Sequence, residues 1–194
     1  MVNKLTSITN ARQLLILPNV IKQINRKTEQ HMKVYNSKSS LSVKVITIGL
    51  TIFLGIVALS IFVLNEKYGT ISGIIISIFV LGTLIYFFAN SVKEIIMGER
   101  NLTLKKNIGK IEIPFSDIVK IEKLAFSNLT MTYGSKGVFG YVGNTMDNSI
   151  SMVNDRTKMV RIITKENKYT ISADNREEFM SEIKTRCSLN HNMN

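Results

Sequence analysis

The sequence predicts a two-helix transmembrane hairpin followed by a mainly β (α+β) domain, a small bent barrel closed by a C-terminal helix. Three observations carry this prediction. Two charge-free apolar runs, 45–64 and 71–90, are each twenty residues long, the length a helix needs to cross ~30 Å of hydrocarbon. Short alternating segments separated by turn residues follow them. The chain then ends on a single stretch with helical apolar spacing.

The first element is the hairpin. A buried helix of a soluble protein usually carries a polar stripe, and neither VITIGLTIFLGIVALSIFVL nor ISGIIISIFVLGTLIYFFAN has one. The link between them, NEKYGT, is too short for anything but a tight helical hairpin, so both chain ends fall on the same side. A secretory signal fits less well, because the leader is too long and the apolar stretch too extended. Residues 1–44 hold eight Lys or Arg against one acid, the link is neutral, and residues 91–194 hold sixteen basic against twelve acidic residues. The positive-inside rule therefore places both termini in the cytoplasm. Most of the net charge of +11 is then topology signal and attraction to anionic headgroups. The nearly balanced C-terminal part argues against a nucleic-acid partner. With no ionisable residue inside either span, transport is disfavoured. Small residues at Thr47, Thr51 and Gly55, and at Gly73 and Ser77, suit close packing of the hairpin on itself or a homodimer.

The chain accordingly divides into a basic leader (1–44), the hairpin (45–90), a cytoplasmic domain (91–189) and a loose tail (190–194). The leader has three readings: a basic amphipathic surface helix interrupted by Pro18, a poorly ordered segment, or untranslated sequence upstream of a start at Met32. Within the domain, Glu94–Met97 and Leu102–Lys105 read as strands. Asn107, Ile108 and Gly109 turn the chain into a partner strand, Lys110–Ile113, which Pro114 ends. FSDIVKIEKL reads as a turn and a strand through Val119 and Ile121. Ile150–Val153 is a further strand, and MVRIITKENKYTIS is a hairpin with Glu166, Asn167 and Lys168 at its tip. Asp174, with Glu177 three residues on, resembles a capping box. The helix it opens spans Asn175 to Cys187 and aligns Phe179, Ile183 and Cys187 on one face. Six or seven strands and one helix result.

The stretch YGSKGVFGYVG holds Gly134, Gly137, Gly140 and Gly143, four of the 11 glycines of the chain. It is not a P-loop, since no Lys-Ser/Thr pair follows a glycine, and no two of its glycines have dinucleotide-fold spacing. Three readings stand: a loop whose Phe139 and Tyr141 cover the core, a membrane-touching loop aided by Lys136, or an ordinary flexible loop. The first is favoured, because a glycine-rich loop needs packed side chains to hold one shape. No catalytic set and no metal-ligand spacing appears. His31 and His191 lie near the chain ends. Cys187, the only cysteine, forms no internal disulfide and belongs to the apolar helix face, as core thiols do.

Two spans followed by EIIMGERNLTLKKNIGKIEIPFSDIVKIEKL, GSKGVFGYVGNT, MVRIITKENKYTIS and a closing helix resemble the bacterial pleckstrin-homology-like (bacterial PH) domain proteins that carry a membrane hairpin. The resemblance runs over roughly residues 33–187, and its most specific part is the glycine stretch. It implies a seven-strand PH-like bent barrel with a C-terminal helix, the bacterial cytoplasmic membrane as location, and neither enzyme activity nor cofactor. The 31-residue leader lies outside it, which favours the start at Met32. The expected role is a membrane-anchored, non-enzymatic binding or scaffold module that offers a strand edge or the glycine loop to a protein partner. The alternative is a sensor or adaptor that contacts anionic lipid headgroups. The candidate interaction or structural loop is Gly134, Ser135, Lys136, Gly137, Phe139, Gly140, Tyr141 and Gly143. The candidate lipid-facing basic turn is Lys105, Lys106 and Lys110; the turn through which eukaryotic PH domains bind phosphoinositides corresponds to Gly98, Glu99, Arg100 and Asn101 or to Asn107, Ile108, Gly109 and Lys110, depending on which strand is the first of the domain.

Overall fold

The computed structural model describes residues 32–64 and 69–191. The leader readings for residues 1–31, the middle of the hairpin link and the last three residues lie outside them. Helices α1 (Leu41–Leu64) and α2 (Gly69–Asn90) form the hairpin. Each begins before the charge-free run does, α1 by four residues. Covered positions recur at helical spacing, including Leu54, Ala58 and Ile61 on α1 and Gly73, Ser77, Val80, Leu84 and Phe87 on α2. Gly73 and Ser77 are among these covered positions, whereas Thr51 and Gly55 are exposed. The rest of the surface is apolar and uncovered, with Ile52, Phe53, Leu59, Ile78 and Phe79 all exposed. Both helices are long and apolar enough to cross a membrane. Their hydroxyls turn inward: Thr51, Ser60 and Thr83 each donate to the carbonyl four residues back. These three O–H groups are thereby satisfied within their own helices.

Strand β1 (Lys33–Asn36) lies in the segment that composition assigned to the basic leader. It pairs antiparallel with β2 (Val92–Met97), Lys33 opposite Met97 and Asn36 opposite Glu94. The chain therefore enters and leaves the hairpin along two neighbouring strands. β3 (Asn101–Lys106) and β4 (Lys110–Pro114) complete a four-stranded sheet in the order β1-β2-β3-β4. The expected turn at Asn107–Gly109 joins them, with Lys105 opposite Lys110.

The second sheet contains β5 (Ile118–Lys123), β6 (Met131–Gly134), β7 (Tyr141–Thr145), β8 (Ser149–Val153), β9 (Met159–Thr164) and β10 (Lys168–Ser172). Its order is β5-β9-β10-β8-β7-β6, antiparallel except for β10 against β8. Among the described residues ten strands form two sheets that are not closed, where six or seven strands in a barrel were expected. The count rises because β1 and the strands flanking the glycine loop, β6 and β7, lack the alternating apolar pattern that reveals strands.

Apolar residues from both sheets share one core. Leu102 and Leu104 alternate inward from β3, Ile95 and Met97 come from β2, and Val160, Ile162 and Ile171 come from the second sheet. Helix α3 (Arg176–His191) covers this core with Phe179 and Ile183, both fully buried, and with the half-buried Cys187. The ring of Tyr35 on β1 meets Phe179 edge-on at 5.3 Å. The helix starts one residue later than the capping-box reading places it. Asn175 precedes its first residue and bonds Glu178, while Asp174 takes the ammonium of Lys158 at 3.1 Å. The helix also runs past the 189 boundary to His191.

Candidate functional site

Three groups of residues meet where the hairpin joins the domain. The first is the β3–β4 turn. A helix leaves its last carbonyls without intrahelical donors. At the end of α2 this turn supplies them: Asn107 Nδ2 donates to Phe88 O at 2.9 Å and the Ile108 amide donates to Ala89 O at 3.1 Å. The Asn107 amide also donates to Ser91 O at 2.9 Å. Lys106 Nζ reaches Asn90 Oδ1 at 3.0 Å, which sets a cation at the negative end of the helix dipole. Lys105 pairs with Glu94 at 2.9 Å, and Lys110 pairs with Glu112. The Lys105 hydrogen bond holds the Glu94 carboxyl below its ordinary range. The basic turn is thus engaged with its own chain at all three lysines. At its tip Ile108 is exposed beside the end of α2.

The second group is the glycine loop between β6 and β7. Gly134 and Gly143 stand opposite each other, both with left-handed φ. A Cβ on Gly134 would lie 2.2 Å from Val142 O, and one on Gly143 would lie 2.3 Å from Tyr133 O. The glycines therefore allow a backbone crossing that no side chain fits. Ser135, buried, ties the loop together. Its Oγ donates toward Val138 O at 2.6 Å and accepts from the Val138 amide at 2.9 Å, while the Gly137 amide donates to Gly140 O at 2.9 Å. Lys136 is exposed.

The two aromatic residues of the loop separate. Tyr141 opens β7 and packs, half-buried, on the smaller core cluster of Leu124, Leu129, Met131, Val153 and Met159. The Arg156 guanidinium lies over its ring at 5.1 Å. Tyr141 is therefore the core cover, and Phe139 is not. Phe139 lies outside both core clusters. Its ring meets Phe88 of α2 edge-on at 5.5 Å, and its amide donates to Thr47 Oγ1 of α1 at 2.8 Å. Gly137 sits directly against the side chain of Ile46. The loop is docked on both helices of the hairpin.

The third group centres on Asn154, which the sequence did not single out. It is 2% exposed, and its side chain ties together both passages of the chain. Nδ2 donates to Ser37 O at 2.7 Å, before α1, and to Val92 O, after α2. Oδ1 accepts from Ser91 Oγ at 2.8 Å. Its carbonyl accepts from the Ser40 amide at 3.0 Å, and its amide donates to Ser172 Oγ at 2.9 Å. Gly140 lies against it: a Cβ there would be 2.8 Å from Asn154 Oδ1 and 2.7 Å from Val153 O. No sequence signal marks this residue, since one polar side chain after a strand has no periodicity.

Two further surfaces remain. A polar groove of about 500 Å³ runs along β1 and the start of α3. Two of its cations are paired with carboxylates, Lys33 with Glu178 at 2.5 Å and Lys158 with Asp174 at 3.1 Å. The other surface is β6, the terminal strand of its sheet, with Thr132, Tyr133 and Gly134 exposed. From Leu124 to Met146 the chain has a single charge, Lys136. Edge strands usually carry charges or proline that deter further pairing, and β6 has neither.

Among the described residues no group of three His, Cys, Asp or Glu side chains could hold a metal ion. The Cys187 thiol is pushed up by burial, with its Sγ 3.8 Å from Phe115 O, which suits a core position. Residues 93–187 match the family model described as bacterial PH domain. No curated protein and no solved structure matches the chain.

Proposed function

We propose that this bacterial PH domain is a binding or scaffold module anchored in the membrane by its hairpin, and that it recognises a protein partner through the free edge of β6. Both termini lie in the cytoplasm of a bacterium in this reading. The observation that carries it is the contrast between two surfaces. The lysine turn is tied to α2 and to neighbouring carboxylates, while β6 keeps an exposed, uncharged edge with Tyr133 61% exposed. An extended segment added to such an edge gains main-chain hydrogen bonds, and pockets beside alternate side chains give it specificity.

A photo-crosslinking amino acid at Tyr133, in cells expressing the full chain, tests this. A discrete protein adduct from Tyr133, absent from the same probe at exposed Lys165, supports the reading. It is overturned if position 133 gives only the background seen at 165.

One observation favours the lipid-contacting alternative. Exposed Ile108 and the three lysines stand at the end of α2, the level at which lipid headgroups would lie. Replacing Lys105, Lys106 and Lys110 together by glutamine separates the two readings. Lipid contact predicts weaker, less salt-dependent binding to anionic vesicles with the Tyr133 adduct unchanged.

A further inference from the structure

The two helices of the hairpin are attached to the domain in different ways. α2 runs into β2 through the single residue Ser91, and the β3–β4 turn caps its end with three hydrogen bonds. It is effectively part of the domain. α1 is attached more sparingly. Four residues separate it from β1, and its sixth and seventh residues, Ile46 and Thr47, touch the glycine loop. Thr47 is suited to this contact. Its hydroxyl proton goes to Val43 O at 2.7 Å, which leaves the oxygen free to accept the Phe139 amide at 2.8 Å. Phe139 holds φ at 55°, in a region that non-glycine residues rarely occupy. The same residue places its ring on Phe88 of α2. One residue therefore contacts both helices, in a backbone conformation that needs outside support, six positions or fewer from the exposed strand β6.

We infer that the glycine loop is a coupling device: Thr47 acts as a latch through which the position of α1 relative to α2 sets the order of the loop and of the β6 edge. Axial sliding of α1 against the fixed α2 withdraws the Thr47 oxygen, removes the only side-chain support of the Phe139 amide among the described residues, and lets the loop relax. A change in bilayer thickness drives such sliding, because helices tilt or shift to match the hydrocarbon depth. The inference rests on the hairpin spanning a bilayer. It does not depend on which partner β6 binds.

Hydrogen exchange of the full chain tests it, in vesicles of short-chain and of long-chain phosphatidylcholine. Retention of the protein in the membrane pellet after alkaline wash first checks the spanning reading by itself. In the wild type, exchange over residues 131–140 should differ between the two lipids, while β9 and β10 should not. Thr47→Val keeps the side-chain shape and removes the acceptor. It should speed exchange over residues 137–140 by about tenfold, the effect of one lost hydrogen bond, and abolish the dependence on lipid. Thr47→Ser should restore both, and Thr51→Val, one turn further along α1 and bonded only to Thr47 O, should change neither. A pellet-retained protein whose exchange over 131–140 ignores both lipid length and Thr47→Val contradicts the inference. So does Thr47→Val loosening β9 and β10 as much as the loop.

Discussion

The interior of the domain and its joint with the hairpin are held by opposite means. The main core is apolar. Phe179 and Ile183 of α3 meet Ile95, Leu102, Leu104 and Ile162 with no exposure at all, and burial of apolar surface supplies the stabilisation. The joint is polar. Asn154, Ser37, Ser91, Ser172, Asn107 and Thr47 cross-link the two chain passages, the helix ends and the glycine loop. Apolar contacts tolerate small slips. A buried side-chain amide bonded to Ser37, Ser91 and Val92 does not, because each lost partner leaves a desolvated group unpaired. The difference suits the two tasks: the core keeps the domain folded, and the joint fixes how the domain stands on the hairpin.

The largest effect should come from the core. Phe179→Ala removes a fully buried ring that also braces Tyr35. It should destabilise the domain by about 3–5 kcal/mol, read from denaturant unfolding of the full chain in micelles. A loss near that of a surface substitution would mean that α3 does not seal the core.

Next is the joint. Asn154→Leu leaves Ser37 O, Val92 O and the Ser91 hydroxyl without their partner. It should cost about 2–3 kcal/mol in the same unfolding measurement. Asn154→Asp keeps the shape but replaces the donor with an acceptor, and should be no better. Full stability of either variant would show that the polar cluster is incidental.

A smaller effect is expected at Phe139. Tyr141, not Phe139, covers the core, so Phe139→Ala loses only a half-buried ring and one edge-on contact with Phe88. The expected loss is about 1 kcal/mol. A loss as large as that of Phe179→Ala would return Phe139 to the core.

The smallest effect is electrostatic. Lys105 lowers the Glu94 carboxyl, so the pair adds stability above the unfolded carboxylate range near 4.3. That contribution disappears as pH falls through the depressed folded value. Because the pair is solvent-facing, it is worth about 1 kcal/mol or less. Lys105→Met should lower stability at neutral pH by no more than this small amount, leave it unchanged in strong acid, and so flatten the acid limb. A marked loss at neutral pH would mean that Lys105 holds the turn by more than charge.

The same contrast explains what the sequence made legible. Two charge-free runs, the alternation of Leu102 and Leu104, and the spacing of Phe179, Ile183 and Cys187 are repeated signals, and the hairpin, most strands and α3 follow from them. The hairpin at 159–172 was equally plain, with Lys168 opening β10. β1 was hidden because four residues beside a membrane span, KVYN, read as basic flank. β6 and β7 were hidden because Gly134 ends the first and Gly143 stands in the middle of the second, which interrupts any alternation. The candidate loop was found from its glycines, but its contact with α1 was not, since Thr47 read only as a small residue for helix packing. Asn154 had no signal because its role depends on five partners distant in sequence. The lysine turn was conspicuous in the sequence, yet its charges are largely matched in the fold.

The central claim is that the polar joint holds the domain and α2 as one body. It is tested most directly by a spin-label distance between Leu81→Cys on α2 and Met146→Cys at the β7–β8 turn, both exposed sites, with Cys187→Ala, in a lipid bilayer. The account predicts a single narrow distance distribution that broadens when Asn154→Leu is added. A distribution that is broad from the start and unchanged by Asn154→Leu would contradict it.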